Sequence, residues 1–285
     1  MSIKQIAYIT SVILLLAGCE ARIHKPTQIC PGKNSVAEAL AALRSQSKYE
    51  VPLRANGQCR IEYYVEGKKK PQRENFEVKL WANPPDEIYM QGDKALVPKA
   101  IVLGSNEREF WLSVRPKEIS SYWWGFWSEQ DLSEGFVINP RTLLESLGIG
   151  DVKTRQDWSL SNEGPYDVIT KKQQDVVTKK IYVYSCDYRV RRIEFFNKDG
   201  VSVADAELDR YEEVSDSFFV PSLIKVTSYS PETREPSFSI TLNLKSIKLA
   251  TIIEPQRKVL FKPPSKRGFQ NIYRIINGKW IRQTQ

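Results

Sequence analysis

Gln58-Cys59-Arg60-Ile61-Glu62-Tyr63-Tyr64-Val65 and, beyond Glu66-Gly67-Lys68, Phe76-Glu77-Val78-Lys79-Leu80-Trp81-Ala82 decide how this chain folds. Cys59, Ile61, Tyr63 and Val65 occupy every second position, as do Phe76, Val78, Leu80 and Ala82. Side chains alternate across a strand with a period of two, so each run has one apolar face, and Glu66-Gly67-Lys68 reads as the turn of a hairpin. Working outward, further strands are expected at 87–91, 99–103 and 109–114, with connections short enough for an antiparallel meander. Strand signals resume at about 165–172, 177–185, 189–196, 201–212, 219–229 and 237–249. In the last of these Phe238, Ile240, Leu242 and Leu244 alternate with Ser239, Thr241, Asn243 and Lys245. Two helices interrupt the pattern. Ser35-Val36-Ala37-Glu38 is a capping box opening a helix over 35–47, and Asn139-Pro140 opens a second, with a Leu143, Leu144, Leu147 stripe that Gly148 ends.

Composition narrows the class. The chain has 285 residues, 41% hydrophobic and 27% charged, with 7 Trp, 13 Tyr and 11 Phe, and so reads as a folding chain. No repeat or linker breaks 35–263. The expected fold is therefore mostly β (α+β): about ten antiparallel strands that curl, with helices covering part of the apolar face. A sheet of this size has room to enclose a cavity for an apolar ligand. A packed helix-on-sheet core fits the same pattern. His24 is the single histidine, which weighs against Ser-His-Asp and Cys-His catalysis and against a histidine metal site, and it falls in a segment where no role is expected for it. No cofactor motif, phosphate loop or nucleic-acid signature is present.

The amino terminus gives an address. Lys4, the apolar run Ile6 to Leu16 and small Ala17-Gly18 make residues 1–18 a secretion signal, too short to span a bilayer. Leu16-Ala17-Gly18-Cys19 resembles the lipobox of bacterial lipoproteins, which implies acylation at Cys19 and a membrane anchor. Residues 19–34, polar with two prolines, read as a tether. The formal net charge of +8 suits anionic headgroups better than nucleic acid, and Lys68-Lys69-Lys70, Lys171-Lys172 and Lys179-Lys180 read as solvated strand edges. In an oxidising compartment Cys30, Cys59 and Cys186 allow one disulfide in any of three pairings.

Arg60 to Tyr64, Phe76 to Asp93 with its Pro84-Pro85 turn, Ala100 to Asn106, Phe110-Trp111-Leu112 and the late Val259-Leu260-Phe261-Lys262-Pro263-Pro264 together resemble the LolA/LolB-like superfamily of bacterial lipoprotein-sorting and lipid-binding proteins. The resemblance covers about 35–265. It implies a strongly curved antiparallel half-barrel with helices as a lid over a cavity for acyl chains. It also implies a lipid or acylated lipoprotein as partner, and, with the lipobox, the periplasmic face of the outer membrane. One departure stands out: the soluble carrier of that family has an arginine in the turn after its second strand, bonded to the lid, where this chain has Asn83-Pro84-Pro85.

The residues expected to line the cavity are Ile61, Tyr63, Val78, Leu80, Ile88, Met90, Ile101 and Leu103, with Trp123, Trp124 and Trp127 near its entrance. The last three belong to the aromatic stretch 110–127, whose second half reads as a loop or short helix. Asp205, Glu207 and Asp209 share one strand face and are expected to face solvent; a catalytic pair there is not favoured, and the chain is read as no enzyme. Residues 264–285 form a basic tail expected to pack on the barrel. The function expected is noncovalent binding of acyl chains for envelope lipid or lipoprotein transfer. The alternative is an envelope interaction lipoprotein whose concave face holds a protein partner or its own side chains.

Overall fold

The structure is a computed structural model that describes residues 23–46, 51–64, 70–94, 97–116, 119–127, 139–149, 157–230, 233–276 and 279–283. The signal, Cys19 and the Glu66-Gly67-Lys68 turn lie outside them. Where the sequence alternates, strands form: β1 (Leu53–Tyr63), β2 (Gln72–Asn83), β3 (Glu87–Lys94), β4 (Val97–Ser105) and β5 (Glu109–Val114) make the first meander, which β6 (Ser121–Phe126) extends. The second meander runs β7 (Trp158–Glu163), β8 (Tyr166–Gln173), β9 (Val176–Tyr184), β10 (Val190–Phe196), β11 (Ser202–Ser215), β12 (Phe218–Tyr229) and β13 (Pro236–Leu249). Helices α1 (Val36–Gln46) and α2 (Pro140–Leu144) fall where their caps predict. A π-helical turn, Glu145–Ile149, continues α2 through Gly148 rather than stopping before it. Helix α3 (Glu254–Leu260) and the hairpin β14 (Asn271–Ile276) and β15 (Lys279–Gln283) complete the chain.

All fifteen strands form one curved sheet, ordered β15-β14-β6-β5-β4-β3-β2-β1-β13-β12-β11-β10-β9-β8-β7, so about ten strands was an underestimate. The four unforeseen ones share a cause. β6 is aromatic on both faces, β7 alternates only over Trp158 to Ser161 before it turns wholly polar, and the β14–β15 hairpin mixes apolar and polar residues out of period, so none sustains the polar-apolar alternation that marks a half-buried strand. Residues 121–126 are a strand, not a loop or helix, because Trp124 and Trp111 pair across the β5–β6 ladder.

Strand β1 joins the two meanders, with Ile61 opposite Ile240 and Cys59 opposite Leu242 on β13. The ladder shifts register at Gly57, where a Cβ would lie 2.3 Å from the Asn243 carbonyl oxygen; only glycine permits that approach. The ladders are antiparallel except β14 on β6, which is parallel. The end strands β15 and β7 do not pair with each other, so the barrel stays open.

The two faces of the sheet carry separate cores. On the inner face Leu80, Met90, Leu103, Ile224 and Leu242 pack with Leu40 and Leu43 of α1 and with Leu143, Leu144 and Leu147 of the α2 segment. On the outer face Tyr89, Trp111, Tyr122, Phe261 and Phe269 form a smaller cluster under α3 and the segment that follows it. Cys30 and Cys186 form the disulfide, and Cys59 is left as a buried thiol whose pKa burial pushes up.

Candidate functional site

The inner face is not completely filled. A cavity of about 400 Å³ remains where the ends of β1 and β2 approach the ends of β5, β12 and β13 and the start of β6. Its walls are Ile61, Tyr63 and Tyr64 from the β1 end, Phe76 from β2, Leu112 and Val114 from β5, Trp123 from β6 and Phe238 from β13. Pro116 and Ile119 close the side between β5 and β6. The period-two rule explains the walls: Ile61 and Tyr63, like Leu112 and Val114, are inward-facing neighbours two apart. The carboxylate of Glu74 at the rim is held by Lys94 at 2.8 Å. Trp123 is kept upright by Tyr273 of β14, whose ring stacks on it at 5.8 Å and 13°, so the C-terminal hairpin braces this wall.

The expected lining residues divide. Ile61, Tyr63 and Trp123 line the cavity. Val78, Leu80, Ile88, Met90, Ile101 and Leu103 are buried in the inner core, outside the lining. Trp124 belongs to the outer face, where the Lys266 ammonium sits 3.1 Å from its ring centroid. Trp127 packs on Phe110 at 4.7 Å, donates its ring N–H to the Asn106 carbonyl and lies under the Arg141 guanidinium. Phe76 and Phe238, quoted above for their alternation, were legible as inward-facing; Pro116 and Ile119 gave no signal because they lie in a connection.

A second cavity, of about 370 Å³, opens between α2 and the ends of β8 to β12. Arg141, Glu145, Lys171, Lys179 and Trp127 contribute to its walls, and Tyr229 lines both cavities. Lys179 is therefore not a solvated edge residue: its side chain is 15% exposed and pairs with Glu145 at 2.5 Å. Asn139 caps α2 by accepting from the Arg141 N–H at 2.9 Å. Arg141 then reaches Asp86, in the turn after β2, at 2.9 Å. The turn and the covering helix are thus joined by an ion pair whose arginine is on the helix.

The outer face of β11 corrects two expectations. Asp205 and Asp209 are buried rather than solvent-facing. Asp205 accepts from the Tyr229 hydroxyl and lies 3.7 Å from Arg192, while Glu207 pairs with Lys225 at 3.7 Å. His24, for which no role was expected, donates its backbone N–H to Asp209 at 2.8 Å and brings its ring Nδ1 within 3.1 Å of the same oxygen. Lys33 N–H donates to Asp167 at 2.9 Å, so residues 23–34 are fastened to the sheet at three points, counting the disulfide. These carboxylates are taken up by hydroxyl, backbone N–H and cationic partners.

No protein-family model matches the chain, and a search of curated proteins finds no match. Solved structures do resemble it. A putative outer membrane lipoprotein-sorting protein domain from Vibrio parahaemolyticus is 12% identical with a TM-score of 0.48, over 79% of this chain and 97% of that one. A LolA superfamily protein from Nitrosomonas europaea is 11% identical with a TM-score of 0.49, over 81% and 99%. A DUF1329 family protein from Desulfovibrio piger is 10% identical with a TM-score of 0.51, over 81% and 98%. At such identities the likeness is one of architecture alone, and it is the fold of the DUF1329 family protein that this chain shares.

Proposed function

We propose that this protein is an envelope lipoprotein, anchored through acyl chains at Cys19 on the periplasmic face of the outer membrane, that binds the acyl chains of a lipid or lipoprotein without transforming them. The observation that supports this reading best is the apolar cavity of about 400 Å³ on the inner face, within the range of roughly 300–1,000 Å³ typical of ligand pockets. Its walls are aromatic and aliphatic, so affinity comes from removing hydrocarbon from water, about 0.8 kcal/mol for each buried methylene. Residues 1–18 act as the export signal in this reading. Residues 23–34, the described part of the tether, are bonded to the body of the protein at His24, Cys30 and Lys33.

Native mass spectrometry of the gently purified protein tests the proposal. Co-purified lipid, or a mass gain on adding phospholipid, is the expected result. Val114→Trp, which puts an indole into the cavity, should abolish the gain while the protein still melts cooperatively. A bare mass that no phospholipid changes would favour the rival, a lipoprotein whose inner face is filled by its own helices α1 and α2 or by a protein partner.

A further inference from the structure

We infer that the second cavity takes an anionic group, so that the ligand of the proposed site is an anionic amphiphile with its chain in the apolar cavity and its head beside α2. This rests on the acyl-binding reading above and adds the chemical class of the ligand.

The ladder between β8 and β9 sets Lys171 directly opposite Lys179. Both line the cavity of about 370 Å³. Like charges facing each other across a ladder destabilise it, and more so where water is scarce. Among the described residues of this wall, Glu145 is the only carboxylate, and it is committed to Lys179 at 2.5 Å. Lys171 instead lies 5.6 Å from the centroid of the Trp158 ring. Arg141 brings a third cation from the covering helix, and Gln173 adds a neutral amide. With Lys179 held by Glu145 and Arg141 by Asp86, Lys171 is the cation of the described lining that faces a like charge and no carboxylate, an imbalance that a phosphate or carboxylate would correct with charge-assisted hydrogen bonds. Position links this charge to the greasy site. Ser228, in the wall of this cavity, stands directly opposite Phe238, in the wall of the apolar one, across the β12–β13 ladder, so a ligand can lay hydrocarbon on one side of this pair and an anion on the other.

The test uses the full chain, stripped of lipid, with phosphatidylglycerol and phosphatidylcholine of identical acyl chains, and inorganic phosphate as a third probe. The expected result is at least tenfold tighter binding of phosphatidylglycerol. Lys171→Gln should erase that preference by weakening phosphatidylglycerol more than phosphatidylcholine, while Lys171→Arg keeps it. Lys172→Gln, the same charge change at an exposed neighbour, should keep it too. Equal binding of the two lipids by the wild type, or equal effects of the Lys171 and Lys172 changes, would overturn the inference and leave the acyl-binding reading intact. Inorganic phosphate bound through Lys171 without any lipid preference would assign the site to free anions and overturn the amphiphile. Failure of both lipids to bind would overturn the acyl-binding reading itself.

Discussion

Asp205 and Asp209 project from the same face of β11, and burial pushes both carboxyls upward. At Asp205 burial wins over the Tyr229 hydroxyl and Arg192, so its pKa is raised. At Asp209 the backbone N–H groups of His24 and Arg210, the His24 ring and Arg191 together outweigh burial and hold the carboxyl below its usual range. The signs of the two contributions to stability are opposite. Asp209 stabilises the fold above the unfolded carboxylate pKa of about 4, and that contribution is lost as pH falls through the lower folded value. Asp205 is penalised when ionised, so its own contribution becomes less favourable as pH rises from about 4 through the higher folded value. Asp209→Asn should therefore cost about 1–3 kcal/mol at pH 7, with the cost shrinking in acid, whereas Asp205→Asn should cost less at pH 7 than Asp209→Asn. Urea unfolding at neutral and acidic pH measures both. At Gly125, on β6, an added Cβ would lie 2.1 Å from Cγ2 of buried Ile275 and 2.9 Å from Phe110. Gly125→Ala should lower stability by about 1–3 kcal/mol, read as a drop in the urea midpoint, because β14 must move off β6 to make room.

At the scale of elements, four attachments hold the peripheral pieces to the sheet. Arg257 of α3 donates to the buried Glu87 at 2.9 Å and to Glu107 at 2.7 Å, fixing the helix over the outer cluster. Arg141 and Asp86 fix α2 over the inner face. The Cys30–Cys186 bond fixes the segment before α1 to the turn after β9, closing a loop of 156 residues. Replacing both cysteines by serine should cost about 2–4 kcal/mol and open residues 23–34 to proteolysis, while the same exchange at Cys59, a lone buried thiol, should leave that segment protected. Mass mapping of a limited digest distinguishes the two. The C-terminal hairpin is the fourth attachment and the least expected, since its parallel pairing with β6 places Tyr273 against the wall of the cavity.

On the scale of the whole molecule, the open barrel leaves two adjoining hollows, one apolar and one cationic, that share Tyr229. Ligand that binds the folded state alone raises its stability by mass action, about 2.7 kcal/mol at a hundredfold excess over Kd. Adding phospholipid should accordingly raise the melting temperature of the wild type and leave that of Val114→Trp unmoved. A scanning calorimeter checks this without knowing the natural cargo.

What the amino-acid sequence determined by itself was local. The alternation at Cys59 to Tyr63, at Phe76 to Ala82 and at Phe238 to Leu244 gave the strands and one apolar face for each, and the caps at Ser35 and Asn139 gave the two helices, because periodicity and capping depend on neighbours in the chain. Non-local matters were decided by the tertiary structure. Which cysteines pair, that β14 lies parallel on β6, that Lys171 faces Lys179 under α2, and which inward residues border empty space rather than a helix all depend on segments far apart in sequence. A one-dimensional pattern marks Ile61 and Leu80 alike as buried. Only packing shows that one borders a hollow and the other lies outside its lining.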